Sequence, residues 1–222
     1  MTVPVLLVHG IGSSFEHNWA RSGWVDLLVE QRRDVVAVHL PGHGPAACAQ
    51  TAGGPPWDAV RQAIGEHPQV DAVGFSAGGY ATLAAAVRAP ERFRRLAILG
   101  VGDSMMHDQS AGRLSLAAAL DDDGAPNPQV RMMRRMIANA GNDVALVARQ
   151  LSAARRALTA EELGALRCAT LLVLGERDFA APASRLLAAI PGARLHTLPG
   201  VDHFATTSDI GCIEAVLDFL AD

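Results

Sequence analysis

Six short apolar runs recur along the 222-residue chain, at 3–8, 35–39, 70–75, 96–100, 170–174 and 194–198, and helical stretches separate most of them. This alternation is the strongest constraint on the fold. Strands divided by helices pair in parallel through crossovers, and a parallel sheet needs apolar cover on both faces. Helices are expected at 23–31, 57–66, 77–88, 184–189 and 210–220. The pattern predicts one α/β unit, a mostly parallel sheet of about six strands with helices on both faces.

The rhythm fails once. From 103 to 166 no strand pattern occurs, and alanine, arginine and methionine recur with helical spacing. Helices are expected at 112–120, 128–139, 143–151 and 160–166, with Thr159 and Glu162 spaced as a capping box for the last. The segment reads as a small helical cap over the carboxyl ends of the strands, where open α/β sheets bind ligands. The remaining residues, 1–102 and 167–222, then form the core.

Composition removes several chemistries. All 19 basic residues are arginine, so mechanisms that need a lysine amine, such as Schiff bases, a lysine-held pyridoxal or a phosphate-loop lysine, are excluded. A net charge of −4 gives no general attraction to nucleic acid, and a small molecule is the expected partner. The first apolar run lacks a basic flank and reads as a strand, not a signal peptide. The longest apolar stretch, 72–87, is broken by glycines and a serine, so no membrane span is expected. Cys48, Cys168 and Cys212 follow no disulfide or metal spacing, which suits buried inert thiols in a reducing cytoplasm. No spacing among the eight histidines suggests a metal site, and neither a metal nor another cofactor is expected.

The residues 74–79 read Gly-Phe-Ser-Ala-Gly-Gly, a G-x-S-x-G match between an apolar strand and an alanine-rich helix. That context suits a nucleophile on a strained strand-to-helix turn, with small neighbours that let strand and helix approach. Serine needs a histidine to accept its proton and a carboxylate to orient that histidine. His203 follows the last strand and Asp178 the one before it, so Ser76, Asp178 and His203 all fall at carboxyl edges. After the first strand comes His9-Gly10-Ile11-Gly12, where the Ile11 amide is a candidate partner for that of Ala77 in binding a developing oxyanion.

With Trp19, Gly23-Trp24 and the run Leu40-Pro41-Gly42-His43-Gly44, these motifs resemble the α/β-hydrolase superfamily over nearly the whole chain. The resemblance implies a serine-dependent, cofactor-free hydrolase of a small acyl substrate, cleaving an ester, thioester, lactone or carbon–carbon bond in a pocket between sheet and cap. It also makes Asp103, after the fourth strand, a competitor of Asp178 as the acid. A lyase or cyclase on the same scaffold, or a non-catalytic binding member, are the other readings. The chain departs from the family pattern at His39, Pro45 and Asp202, the last placing a carboxylate beside the base or in solvent. With only Met1 and Thr2 before the first run, a shortened version of the fold without the family's two opening strands is expected. That leaves 35–39 on a sheet edge, to be covered by the loop 45–56 or by a homodimer contact.

In the cap, Met105, Met132 and Met136 are candidates to line a substrate pocket, with packing of cap on sheet as the alternative. Arg131, Arg134 and Arg135 read as a solvated helical face in preference to a carboxylate clamp, and Tyr80 as a packing residue. His9 shapes the oxyanion loop or fills space beside it. The other histidines, His43 included, read as surface or satisfied core residues.

Overall fold

The apolar runs form six parallel strands in a computed structural model that describes residues 3–44, 51–122, 124, 127–153 and 155–221. They are β1 (Val5–Val8), β2 (Val35–Val38), β3 (Val70–Phe75), β4 (Phe93–Leu99), β5 (Ala169–Gly175) and β6 (Arg194–Leu198). Their order is β2-β1-β3-β4-β5-β6, with β1 opposite β3 through pairs such as Leu7 with Val73, and β3 opposite β4 through Gly74 with Ile98. The chain steps outward from β1 to β2, crosses back to β3, and proceeds to the other edge. Loops after β1 and β3 therefore diverge at the carboxyl end of neighbouring strands, which is where such sheets form a crevice.

Strand β4 begins three residues before the apolar run that predicted it. Arg94 lies in this extension, and its guanidinium donates to Oδ1 of the buried Asp71 on β3 at 2.9 Å. Arg33 binds the same carboxylate, so the buried charge is held by two cations.

One face of the sheet packs against α2 (Pro56–Ile64), α3 (Ala77–Ala86) and α8 (Ser184–Ala189), and the other against α1 (Trp24–Glu30) and α9 (Ile210–Ala221). A π-helical turn, Glu16–Ala20, was not foreseen. It carries Trp19, whose ring meets Trp24 edge-on at 5.3 Å, while Trp24 Nε1 donates to Thr207 O at 2.7 Å.

Between β4 and β5 lie α4 (Ser110–Asp121), α5 (Pro128–Asn139), α6 (Val144–Ser152) and α7 (Ala160–Gly164). Side-chain caps start three of them: Asn127 for α5, Asp143 for α6, and the predicted Thr159–Glu162 box for α7. Helices α4 to α6 share an apolar cluster that includes Leu120, Ile137 and Val147, and Ile11 from the loop after β1 packs against it.

Strand β2 lies on the edge of the sheet, as expected. Of the loop proposed to cover it, residues 45–50 lie outside the described residues, Cys48 among them. The described part turns toward α6, where Gln150 accepts from Gly53 N and donates to Gly54 O. Cys168 and Cys212 are free and buried, and burial pushes both thiols up, Cys212 well above the usual range. Among the described residues no helix is long and apolar enough to cross a membrane.

Candidate active site

Ser76 directly follows β3 with φ 53° and ψ −116°, a positive-φ conformation that a serine adopts only where its surroundings hold it. The neighbouring glycines supply the room. A Cβ on Gly74 would lie 2.6 Å from Thr82 Oγ1, and one on Gly78 would lie 2.3 Å from Val8 O and 2.4 Å from His9 O. Helix α3 thus starts hard against the end of β1, with Ser76 thrust into the crevice and the Ala77 amide at the helix start.

Beyond β5 and β6 the chain brings in the other two groups. His203 Nε2 is 3.0 Å from Ser76 Oγ, and its Nδ1 is 2.9 Å from each oxygen of Asp178. Asp178 also accepts from Ala180 N at 2.7 Å, which fixes the carboxylate, and both Asp178 and His203 are buried. With Nδ1–H directed at the carboxylate, Nε2 is left as an acceptor for the serine proton. Phe75 and Phe179 flank the imidazole, with ring centroids 4.9 and 4.2 Å away.

Asp103, the competing acid, is committed elsewhere. Its Oδ1 accepts from Leu186 N at 2.9 Å and its Oδ2 from Ser184 Oγ at 3.2 Å, so it secures the start of α8. Asp202 is exposed and accepts from the amides of Phe204 and Ala205, which closes the turn after β6. Among the described residues it makes no hydrogen bond to the ring of His203, and its exposure fits the solvent-facing reading of the two.

The loop after β1 has its amides assigned one by one. Gly10 N donates to Asn18 Oδ1 at 3.0 Å, Gly12 N to His43 Nε2 at 2.8 Å, and Ser13 N to Gly10 O at 3.2 Å. The Ile11 amide has no acceptor among the described residues, and Ile11 and Ala77 both line the cavity that holds Ser76. Asn142, between α5 and α6, donates to the carbonyls of Gly12 and Ser13 and so ties this loop to the helices above.

Two histidines act here as acceptors: His9, for which shaping this loop is one of the two readings from sequence, and His43, expected there to be a surface or satisfied core residue. His43 accepts from Gly12 N and so directs its Nδ1–H at Pro41 O, 2.9 Å away. His9 does the same between Leu40 N at 3.2 Å and Gly10 O at 2.8 Å. Both rings are neutral for that reason. Burial, with each ring next to other histidines, pushes His43 down to about 4 and His9 down to about 3.

The cavity has a volume of about 340 Å³. Met105 lines it, beside Ser76, Tyr80 and His203. The other two methionines do not: Met132 is 60% exposed, and Met136 lies over Gly12, where its Cε would be 3.4 Å from an added Cβ. On a helix only one stripe faces the sheet, and α5 turns Val130 and Ile137 inward instead. The arginines at the cavity are Arg113 and Arg155; Arg131, Arg134 and Arg135 on α5, for which a solvated face is the preferred reading from sequence, do not line it. Among the described residues no group of histidines, cysteines and carboxylates is arranged to hold a metal ion.

The same layout occurs in known structures. A hydrolase from Pseudomonas aeruginosa PA01 superposes with a TM-score of 0.75 at 22% identity, over 100% of this chain and 91% of that one. The enol-lactonase from Burkholderia xenovorans LB400 gives 0.72 at 21% identity, over 100% and 92%. A thermophilic esterase from Thermogutta terrifontis gives 0.69 at 20%, over 100% and 90%. These likenesses concern the fold. No curated protein matches the chain. The sequence itself matches the Alpha/beta hydrolase family across residues 5–209, from β1 to the last turn before α9, and on that match the chain belongs to the alpha/beta hydrolase family.

Proposed function

We propose that the protein is a serine hydrolase that cleaves a carboxylic ester, thioester or lactone through an acyl-enzyme. The observation that carries the reading is the unbroken chain from Asp178 through His203 to Ser76 Oγ, at 2.9 and 3.0 Å, beside the Ile11 and Ala77 amides, whose N–H groups have no acceptor among the described residues. His203 Nε2 takes the proton as Ser76 Oγ attacks the acyl carbon. The oxyanion lies between the amides of Ile11 and Ala77, each such donor contributing about 10²- to 10³-fold to the rate. The leaving alkoxide or thiolate then takes the proton back from His203, and a water activated by the same nitrogen releases the acyl group.

The test is turnover of p-nitrophenyl acetate. An initial burst of about one nitrophenolate per protein, absent from Ser76→Ala, supports the reading. Ligand binding without turnover of any ester would instead favour a non-catalytic member of the family.

A further inference from the structure

The cavity that holds Ser76 also contains two arginine side chains, Arg113 from α4 and Arg155 from the connection between α6 and α7. The guanidinium of Arg155 lies over the ring of Tyr80, 3.4 Å from its centroid. Tyr80 is one helical turn beyond Ser76, its amide donates to Ser76 O at 3.0 Å, and its hydroxyl donates to Arg156 O at 2.9 Å. The ring is thus fixed from both ends, and the cation on it is held within the same cavity as the serine.

Five arginines elsewhere pair with carboxylates: Arg33 and Arg94 with Asp71, Arg156 with Glu162, Arg61 with Asp58 and Arg21 with Glu16. Arg113 and Arg155 form no ion pair among the described residues. Arg113 donates from Nη1 to Ala153 O at 3.2 Å, while its Nε is buried and has no acceptor there. A buried donor without an acceptor costs stability, and so do two cations that face each other. Burial and the neighbouring Arg113 push Arg155 down to about 10, so it remains charged at neutral pH. The carboxylate nearest in sequence to Arg113 is Asp108, which is exposed and accepts from the amide and hydroxyl of Ser110 at the start of α4. It lines a second hollow of about 620 Å³ on the outer side of the two arginines, which Arg113, Arg155 and Arg156 also line. Arg113 and Arg155 therefore stand between an outer hollow and the serine.

We propose that the ester, thioester or lactone carries a free carboxylate, which Arg155 and Arg113 bind while Ser76 attacks the acyl carbon. Asp108 attracts Arg113 from the outer hollow, and an oxyanion of the substrate would supply what is still missing: a counter-charge beside Arg155, and an acceptor for Arg113 Nε. Guanidinium forks match carboxylate geometry, and Tyr80 fixes the fork of Arg155 before the ligand arrives. The inference rests on the hydrolase reading above, and adds the class of substrate.

The test compares monomethyl adipate with its neutral counterpart dimethyl adipate. In the wild-type protein kcat/KM for the monoester exceeds that for the diester by about ten- to hundred-fold, the range of charge-assisted pairs. In Arg155→Met and, separately, Arg113→Met, that ratio falls toward one, each variant being checked first for a wild-type thermal unfolding transition. If either fails to fold, the other decides. Binding to Ser76→Ala by calorimetry scores the arginine site without turnover, with monomethyl adipate binding tighter than the diester and Arg155→Met added to Ser76→Ala removing the difference. An absence of turnover together with this binding difference would sink the hydrolase reading and leave the anion site standing. Equal binding and equal kcat/KM for the two esters would overturn the anion site. Competition by inorganic phosphate but not by adipate would overturn the carboxylate assignment.

Discussion

Acidification to pH 4 should loosen the loop that carries the Ile11 amide, and His43 is the residue through which it does so. The unfolded chain takes up a proton on this histidine near pH 6.5, whereas the folded protein refuses it until about 4. Between those values the unfolded state binds more protons, so stability is fully present above pH 6.5 and is lost as the pH falls. At about 1.4 kcal/mol per pKa unit, the loss between pH 7 and pH 4 is on the order of 3 kcal/mol. Protonation of Nε2 would also abolish the acceptor for Gly12 N, so the loop is released by the same event. His9 works in the same direction down to about 3, and a charge on one ring opposes a charge on the other, so their contributions do not sum. The perturbation is His43→Gln, which offers an uncharged acceptor at the same place. Urea unfolding at pH 7, 5 and 4 for the wild type and His43→Gln isolates the effect, because Glu162, held by Arg156 down to about 2, titrates in both. His43→Gln is expected to be less stable at pH 7 by about 1 kcal/mol, and to lose on the order of 3 kcal/mol less between pH 7 and pH 4. Parallel stability curves would refute the account of His43 as a neutral acceptor.

Four further predictions separate the site from its support. Asp178→Asn should lower kcat on p-nitrophenyl acetate by about 10⁴-fold with little change in melting temperature, since it leaves the imidazole without its orienting charge. Asp103→Asn should retain activity and lower the melting temperature, through the hydrogen bonds at the start of α8. Gly78→Ala should destabilise the protein severely, because its Cβ would enter the carbonyls of Val8 and His9 at 2.3 and 2.4 Å; chemical denaturation measures it. Met105→Trp should restrict longer acyl chains while Met132→Trp leaves chain-length preference unchanged, as measured on a series of p-nitrophenyl esters.

Local chemistry explains what could be read in advance. Strands β1, β3, β4 and β5 are short, mostly buried runs, and Ser76, Asp178 and His203 stand beyond strand ends, so their convergence follows from the parallel order once the runs are recognised. The capping box at Thr159 is a three-residue signal and was legible for the same reason. What was hidden depends on contacts far apart in sequence. Arg94 continues β4 because a carboxylate on β3 receives it, and His43 matters because Gly12, from another loop, donates to it. Arg155 sits among alanines with nothing local to distinguish it, whereas Arg131, Arg134 and Arg135 form a conspicuous cluster. Only the path of the chain from α6 to α7 lays Arg155 on Tyr80. A methionine-rich helix likewise does not reveal which stripe faces the cavity, and Met132 points away from it.

The central claim is that Ser76 is a nucleophile activated by His203. Its most direct measurement is reaction with a fluorophosphonate, followed by intact-mass analysis and peptide mapping. The account predicts one adduct per chain, located on Ser76, with labelling slowed by orders of magnitude in His203→Ala. A protein that stays unlabelled while folded, or one labelled at another residue with its esterase activity intact in Ser76→Ala, would contradict it.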